Sequence, residues 1–400
     1  MKILLVNSVI GFGSTGRIVK DLHEVLMDFG HEPLVAFGRG KPLDGYHQYK
    51  IGSLVDQGLH LASSRLFDDH GLRSKLSTKA FVKQVEAFQP DVVHLHNIHG
   101  YYLNYPELVK GLKQLAVPVV WTLHDCWSFT GHCAYFDFVG CDRWKTECFD
   151  CPQKNAYPES LGWDRSTRNF NLKKEVFNQL PQAVMVSPSN WLTDLVKQSF
   201  LTHEALTIPN GIDLEVFKQK AVTENLYNLP MDKKLILGIA SKWEPRKGLS
   251  YFVELQHQIP EGYHLVLVGL DKQQESLFTS KQVTLIPRTN NVQELVDLYN
   301  RAFVLFNPTL EDNFPTVNLE AQACGCPVIT FDTGGSPETI SERTGRVINK
   351  SIDAFLQTLF ELDLEPQEAL RALCRQHALN FDKQARYLDY LNLYEKMMKT

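Results

Sequence analysis

No run of eighteen apolar residues occurs in the 400-residue chain, so no segment reads as a membrane-spanning helix. An excess of charge of one sign is missing as well. Lys and Arg number 41 against 46 Asp and Glu, a formal net charge of −5, which argues against general nucleic-acid binding. No repeat or low-complexity tract stands out. The apolar start, Met1 to Asn7, is too short for a signal peptide and reads as a first strand. The expected compartment is therefore the cytoplasm, with the eight cysteines reduced. What is present is a globular composition, 44% hydrophobic and 22% charged. The chain is longer than one core usually supports, so two domains are expected.

Apolar strands alternate with amphipathic helices. Lys2 to Asn7, Leu34 to Phe37, Asp91 to Leu95 and Val117 to Leu123 read as buried strands of one sheet. Leu235 to Ile239, His264 to Val268, Val283 to Ile286, Ala302 to Asn307 and Pro327 to Phe331 read as those of another. Arg17 to Phe29 carries Ile18, Leu22, Val25, Leu26 and Phe29 at helical spacing, and Gly30 ends it. The pattern predicts an α/β chain of two consecutive doubly wound parallel sheets, with a boundary near residues 180 to 210. Asp382 to Met398 predicts a last helix with Tyr387, Tyr390, Leu391 and Tyr394 on one face.

The most informative stretch runs from Asn307 to Ala321. Asp312 lies in a loop and Glu320 on the helix that should follow, with Pro315, Thr316 and Val317 where the first helical turn should begin. The amides of that turn and the helix dipole favour an anion. A phosphate cradle between two carboxylates suits a ligand with a diphosphate in the middle and sugars at both ends. Upstream, the strand Leu235 to Ile239 runs into a turn holding Lys242 and Lys247. Ligands of open α/β sheets bind at such strand ends, and two ammonium groups there would neutralise a departing diphosphate without a metal ion.

At these motifs the chain resembles the family 4 glycosyltransferases of the GT-B fold, and within them the bacterial exopolysaccharide and colanic-acid type. That family has an acid, seven residues and a Glu, matched by Asp312 and Glu320 with Asp in place of the more common Glu. Before it comes a basic pair four residues apart, matched by Lys242 and Lys247 with Lys in place of the more common Arg. Ser187-Pro188-Ser189-Asn190-Trp191-Leu192, Ile208-Pro209-Asn210-Gly211-Ile212-Asp213 and Gly334-Gly335-Ser336-Pro337-Glu338 match in family order. The resemblance implies two Rossmann-like domains facing a cleft. An acceptor-side domain would span 1–200, with a Cys-rich insertion at 126–152. A nucleotide-sugar domain would span 201–381, and a helix at 382–400 would cross back to the first. It also implies a retaining transferase that needs no metal for catalysis. The donor would be a nucleotide-diphosphate sugar, and the acceptor a glycan or lipid-linked sugar in polysaccharide assembly. Lys242, Lys247 and the amides at Pro315, Thr316 and Val317 would stabilise the diphosphate. Glu320 would hold ribose, Asp312 would contact the donor sugar, and the base would lie near Arg288.

A rival reading comes from the first turn. Gly11-Phe12-Gly13-Ser14-Thr15-Gly16 matches the dinucleotide fingerprint after a strand and before a helix. Arg39, at the end of the next strand, suits the 2′-phosphate of NADP, so an NADP-dependent oxidoreductase is a competing expectation. In the transferase reading Gly13 and Gly16 let backbone amides approach the donor phosphates or the acceptor, with Arg17 beside them. A GT-B nucleotide-sugar epimerase and a non-catalytic sugar-binding protein are further alternatives.

Histidines gather at strand ends: His94, His96 and His99 after one strand, His124 before Asp125 after the next. His124 matches the cleft histidine of the family, which contacts the transferred sugar. His96 matches a position of less certain role. Three His and one Asp there also suggest a metal. Five of the eight cysteines lie between Cys126 and Cys151. Cys133, Cys141, Cys148 and Cys151 suggest a structural zinc knuckle, with packing thiols or disulfides as the alternatives. The aromatics among them, Trp127, Phe129, Tyr135, Phe136, Phe138 and Trp144, would line the acceptor or pack the insertion. The basic amphipathic segment His60 to Phe88 suggests either a solvated face or peripheral contact at the inner side of a membrane.

Overall fold

A computed structural model describes residues 1–222 and 224–399. The chain divides into two compact units, Met1–Pro209 with the segment from Gln384 onward, and Asn210–Lys383. Each is built on one parallel sheet. The first holds β1 (Lys2–Val9), β2 (Glu32–Arg39), β3 (Gln48–Lys50), β4 (Val92–Leu95), β5 (Val119–Thr122), β6 (Ala183–Ser187) and β7 (Glu204–Thr207), in the order β3-β2-β1-β4-β5-β6-β7. The second holds β8 (Lys234–Ile239), β9 (Tyr263–Val268), β10 (Val283–Ile286), β11 (Ala302–Asn307), β12 (Val328–Phe331) and β13 (Gly345–Ile348), in the order β10-β9-β8-β11-β12-β13.

These are near-continuous apolar runs because helices cover both faces of each sheet. In β1 every residue after Lys2 is buried. The helix Gly13–Asp28 turns Ile18, Val19, Leu22, Val25 and Leu26 inward. It starts four residues before the predicted Arg17, and Gly30 follows it with a φ of +75° that favours glycine. Ser53, Asn104, Ser189, Asn291 and Ser351 cap helix starts by accepting from backbone amides.

The C-terminal helix, Lys383–Met398, buries Tyr387, Tyr390, Leu391 and Tyr394. They join the cluster of Ile3, Leu5, Val92, Val120 and Val184 under the first sheet. The segment His60 to Phe88 falls on two helices, Leu54–Phe67 and Lys75–Phe88. The first is turned around: it buries Gln57, His60 and Ser64 and exposes Leu54, Val55, Leu59 and Leu66.

Candidate active site

In the second unit the strand order reverses beside β8, with β9 on one side and β11 on the other. Open α/β sheets take ligands at the carboxyl ends of strands at such a point. The loops after β8 and β11 carry the predicted motifs, and the backbone stitches them together. The Leu310 amide donates to the Arg246 carbonyl at 2.7 Å, and Arg246 Nη1 donates to the Glu311 carbonyl at 3.0 Å. Gly248 has a φ of +76°, and a Cβ there would stand 2.0 Å from the Pro308 carbonyl oxygen, so only glycine permits the approach. Lys247 Nζ donates to Asp312 Oδ2 in a short charged bond. Burial opposes the charge on Asp312, but Lys247 and Arg246 outweigh it and hold the carboxyl below its ordinary range. Lys242 is different: its side chain is 80% exposed and lies 3.7 Å from Glu244.

The helix Thr316–Ala323 follows. Pro315 is its cap rather than a residue of its first turn, with an extended backbone. No side chain caps this end, as an anion site at a helix start requires. Glu320 is buried, and the Tyr299 hydroxyl donates to its Oε2 at 3.0 Å. Burial and the Glu320 charge together raise the pKa of Tyr299, so it stays a donor. The Gly334 loop closes over Asp312 from the other side. The Gly335 amide donates to the Asp312 carbonyl at 3.0 Å, and a Cβ at Gly334 would stand 2.0 Å from that oxygen. Arg288 is exposed in the loop after the edge strand β10, two strands from β8. Arg246 and Tyr299 were not singled out in the sequence. One is masked by the lysines around it, and the other reads as an ordinary core residue at a helix end.

In the first unit the Gly11 amide donates to the Gly16 carbonyl at 2.9 Å. A Cβ at Gly16 would meet Val9 Cγ2 at 3.0 Å, whereas one at Gly13 would meet nothing within 4 Å. Gly16 is therefore needed for packing and Gly13 borders open space. Arg17 is exposed, and its Nε donates to the Gly13 carbonyl at 3.4 Å. β4 and β5 run side by side with Leu95 opposite Trp121, which brings His96 and His124 together just beyond the strands. His96 Nδ1 lies 3.0 Å from His124 Nε2, and the rings are stacked. Burial lowers the pKa of both, that of His124 to about 4, so both are neutral at neutral pH. Burial also opposes the charge of Asp125, yet His99 and the Trp127 amide keep its pKa low. His99 Nε2 lies 3.0 Å from Asp125 Oδ2, and its Nδ1 lies 3.0 Å from the Tyr157 hydroxyl.

The Cys-rich insertion decides between the two readings of its aromatics. Trp127, Phe129, Phe136 and Trp144 are buried in the core of the first unit and pack the insertion, while Phe138 is exposed. Cys133, Cys141, Cys148 and Cys151 do line one cavity of about 10 Å³, room for roughly one water molecule. All are free thiols. Among the described residues, however, no group of three or more His, Cys, Asp or Glu side chains is arranged to hold a metal ion. Cys148 Sγ accepts from the Gly131 amide at 3.2 Å, and the Cys133 and Cys151 thiols share a hydrogen bond.

Comparison with known proteins agrees with this geometry. Residues 15–216 match the family Glycosyltransferase Family 4, and residues 224–376 match Glycosyl transferases group 1. A protein of Escherichia coli (strain K12), WcaC, whose name assigns it to colanic acid biosynthesis as a glycosyl transferase, is 24% identical over 99% of this chain and 100% of its own length. The D-inositol 3-phosphate glycosyltransferase of Mycolicibacterium smegmatis is 27% identical over 43% of this chain and 42% of its own. Among solved structures, sucrose-phosphate synthase from Thermosynechococcus elongatus has a TM-score of 0.73 at 18% identity, covering 100% of this chain and 99% of that one. HepE of Anabaena, in complex with UDP, has a TM-score of 0.68 at 15% identity, covering 99% and 100%. At such identities the structures establish the fold, GT-B. The oxidoreductase reading finds no support among these proteins. The chain belongs to glycosyltransferase family 4 and is a glycosyltransferase of the GT-B fold.

Proposed function

We propose that the protein is a retaining transferase that moves a sugar from a nucleotide-diphosphate sugar to a glycan or lipid-linked acceptor during assembly of a bacterial polysaccharide. The observation that carries this reading is the stitched pair of loops after β8 and β11. There Lys247, Arg246 and Asp312 meet beside an uncapped helix start. Lys242, Lys247 and the amides following Pro315, at Thr316 and Val317, take the charge that grows on the diphosphate as the glycosidic bond breaks, with no metal needed at that step. Glu320, oriented by Tyr299, holds ribose hydroxyls. Asp312 contacts the donor sugar, Arg288 borders the base, and His124 contacts the transferred sugar. Gly13 and Gly16 let the first loop approach the ligand. The names of relatives support the polysaccharide setting. No helix among the described residues is long and apolar enough to cross a membrane. A lipid-linked acceptor would be met by peripheral contact, through the exposed Leu54, Val55, Leu59 and Leu66 with Arg65 and Trp163 nearby in the fold.

A thermal-shift screen against UDP, GDP, ADP, CMP and NADP tests the donor class. One nucleoside diphosphate should raise the melting temperature. Stabilisation by NADP alone would overturn the reading. Product analysis with and without acceptor then separates transfer from epimerisation.

A further inference from the structure

We infer that His96 is a positioning residue that sets the tautomer of His124, holding the ring hydrogen of His124 on Nδ1. This rests on the reading of His124 as a sugar contact. The alternation of the strands places His94 in β4 and His96 just beyond it on one face, and Thr122 in β5 and His124 just beyond it on the same face. The four side chains pair as two rungs between the strands.

The first rung is fully ordered. Thr122 Oγ1 donates to the Tyr390 hydroxyl at 3.1 Å. It therefore accepts from His94 Nε2, 2.7 Å away. With its hydrogen on Nε2, neutral His94 accepts at Nδ1 from the Tyr394 hydroxyl at 2.6 Å. Two tyrosines of the C-terminal helix thus fix the His94 ring. His96 packs on it, with ring centroids 4.0 Å apart, and Trp121 Nε1 donates to the His96 carbonyl at 3.0 Å. The His96 backbone is tied by Trp121 and its ring rests on His94 before it meets His124.

In the second rung one hydrogen lies between His96 Nδ1 and His124 Nε2, 3.0 Å apart. The other nitrogen of His96, Nε2, is buried and has no hydrogen-bond partner among the described residues. A hydrogen placed there would be a buried, unpaired donor, a costly arrangement. Placed on Nδ1 it is paired. His96 therefore donates, His124 Nε2 accepts, and the hydrogen of neutral His124 lies on Nδ1. The tautomer of a histidine is set by the bond its other nitrogen makes. His124 then offers a sugar hydroxyl a donor at Nδ1, against the Nε2–H form that free histidine prefers in water.

Nitrogen-15 NMR of histidine-labelled full-length protein reads the tautomer directly and needs no activity. The resonance lost in His124→Asn identifies the ring. Wild type should show Nδ1–H at His124. His96→Leu should shift it toward Nε2–H and lower kcat roughly tenfold, with the nucleotide dissociation constant within twofold of wild type. His96→Asn, whose amide N–H stands where Nδ1–H stood, should restore most of the rate. An Nε2–H signal at His124 in wild type overturns the inference, as does an unchanged tautomer in a folded His96→Leu protein. Should the tautomer be as stated but His124→Ala transfer sugar at the wild-type rate, the positioning stands and the sugar-contact reading fails instead.

Discussion

Lys247 and Asp312, 65 positions apart in the chain, donate and accept one short charged hydrogen bond. A diphosphate approaching Lys247 must share that ammonium with the carboxylate. Asp312→Asn should therefore leave nucleoside diphosphate affinity equal or improved. Turnover should fall roughly ten- to a hundredfold, the value of a lost charged contact of about 1.5–3 kcal/mol. Lys247→Ala should weaken both. Calorimetric titration beside initial rates checks this, and a tenfold loss of affinity in Asp312→Asn would contradict it.

The Tyr299 hydroxyl occupies one acceptor site of Glu320, which aims the carboxylate. Glu320→Ala should weaken nucleotide binding more than Tyr299→Phe, which leaves the carboxylate in place and removes only the hydroxyl that aims it. Both should leave binding of the acceptor unchanged. Equal affinity for the donor nucleotide in Glu320→Ala and wild type would remove Glu320 from the site.

Lys173 is buried, with its ammonium donating to the Trp127 and Thr130 carbonyls at 2.6 and 3.0 Å. Burial drives its pKa from 10.5 down to about 7. The unfolded chain then binds more protons than the folded one between those two values, so this residue makes stability rise with pH across that window. Denaturant titrations from pH 7 to 10 should show a steeper rise for wild type than for Lys173→Met. Parallel curves would mean the amine is not held as described.

Cys151 is pulled down to about 7 by its bond with Cys133, against the opposing effect of burial. It should be the first of the insertion's thiols to react with iodoacetamide near neutral pH, ahead of Cys148, which burial raises to about 11. Peptide mapping after brief labelling reads the order. Elemental analysis of protein purified without chelators reads whether the four thiols that line the insertion's cavity hold a zinc ion, one equivalent being the expectation for a structural site.

The long buried strands were legible because parallel sheets announce themselves as apolar runs: Val283–Ile286 and Ala302–Asn307 were found to the residue. β3 and β7 are short and only partly buried, with Gln48, Tyr49, Lys50 and Glu204 among their residues, so they carry no such run. β6 is apolar enough to have been read, but it lay where a domain boundary was expected. Lys247, Asp312 and Glu320 were visible by spacing. Their partners Arg246 and Tyr299 were not, because an arginine among lysines or a core tyrosine acquires meaning only when the loops fold onto each other.

The helix carrying Tyr390 and Tyr394 is synthesised after all of Asn210–Lys383. On the ribosome the first sheet must wait, with Val92, Val120 and Val184 uncovered, until the whole second unit has emerged. A nonsense mutation near residue 383 would yield a product whose second unit can fold but whose first presents a bare apolar face to the proteases of the cell.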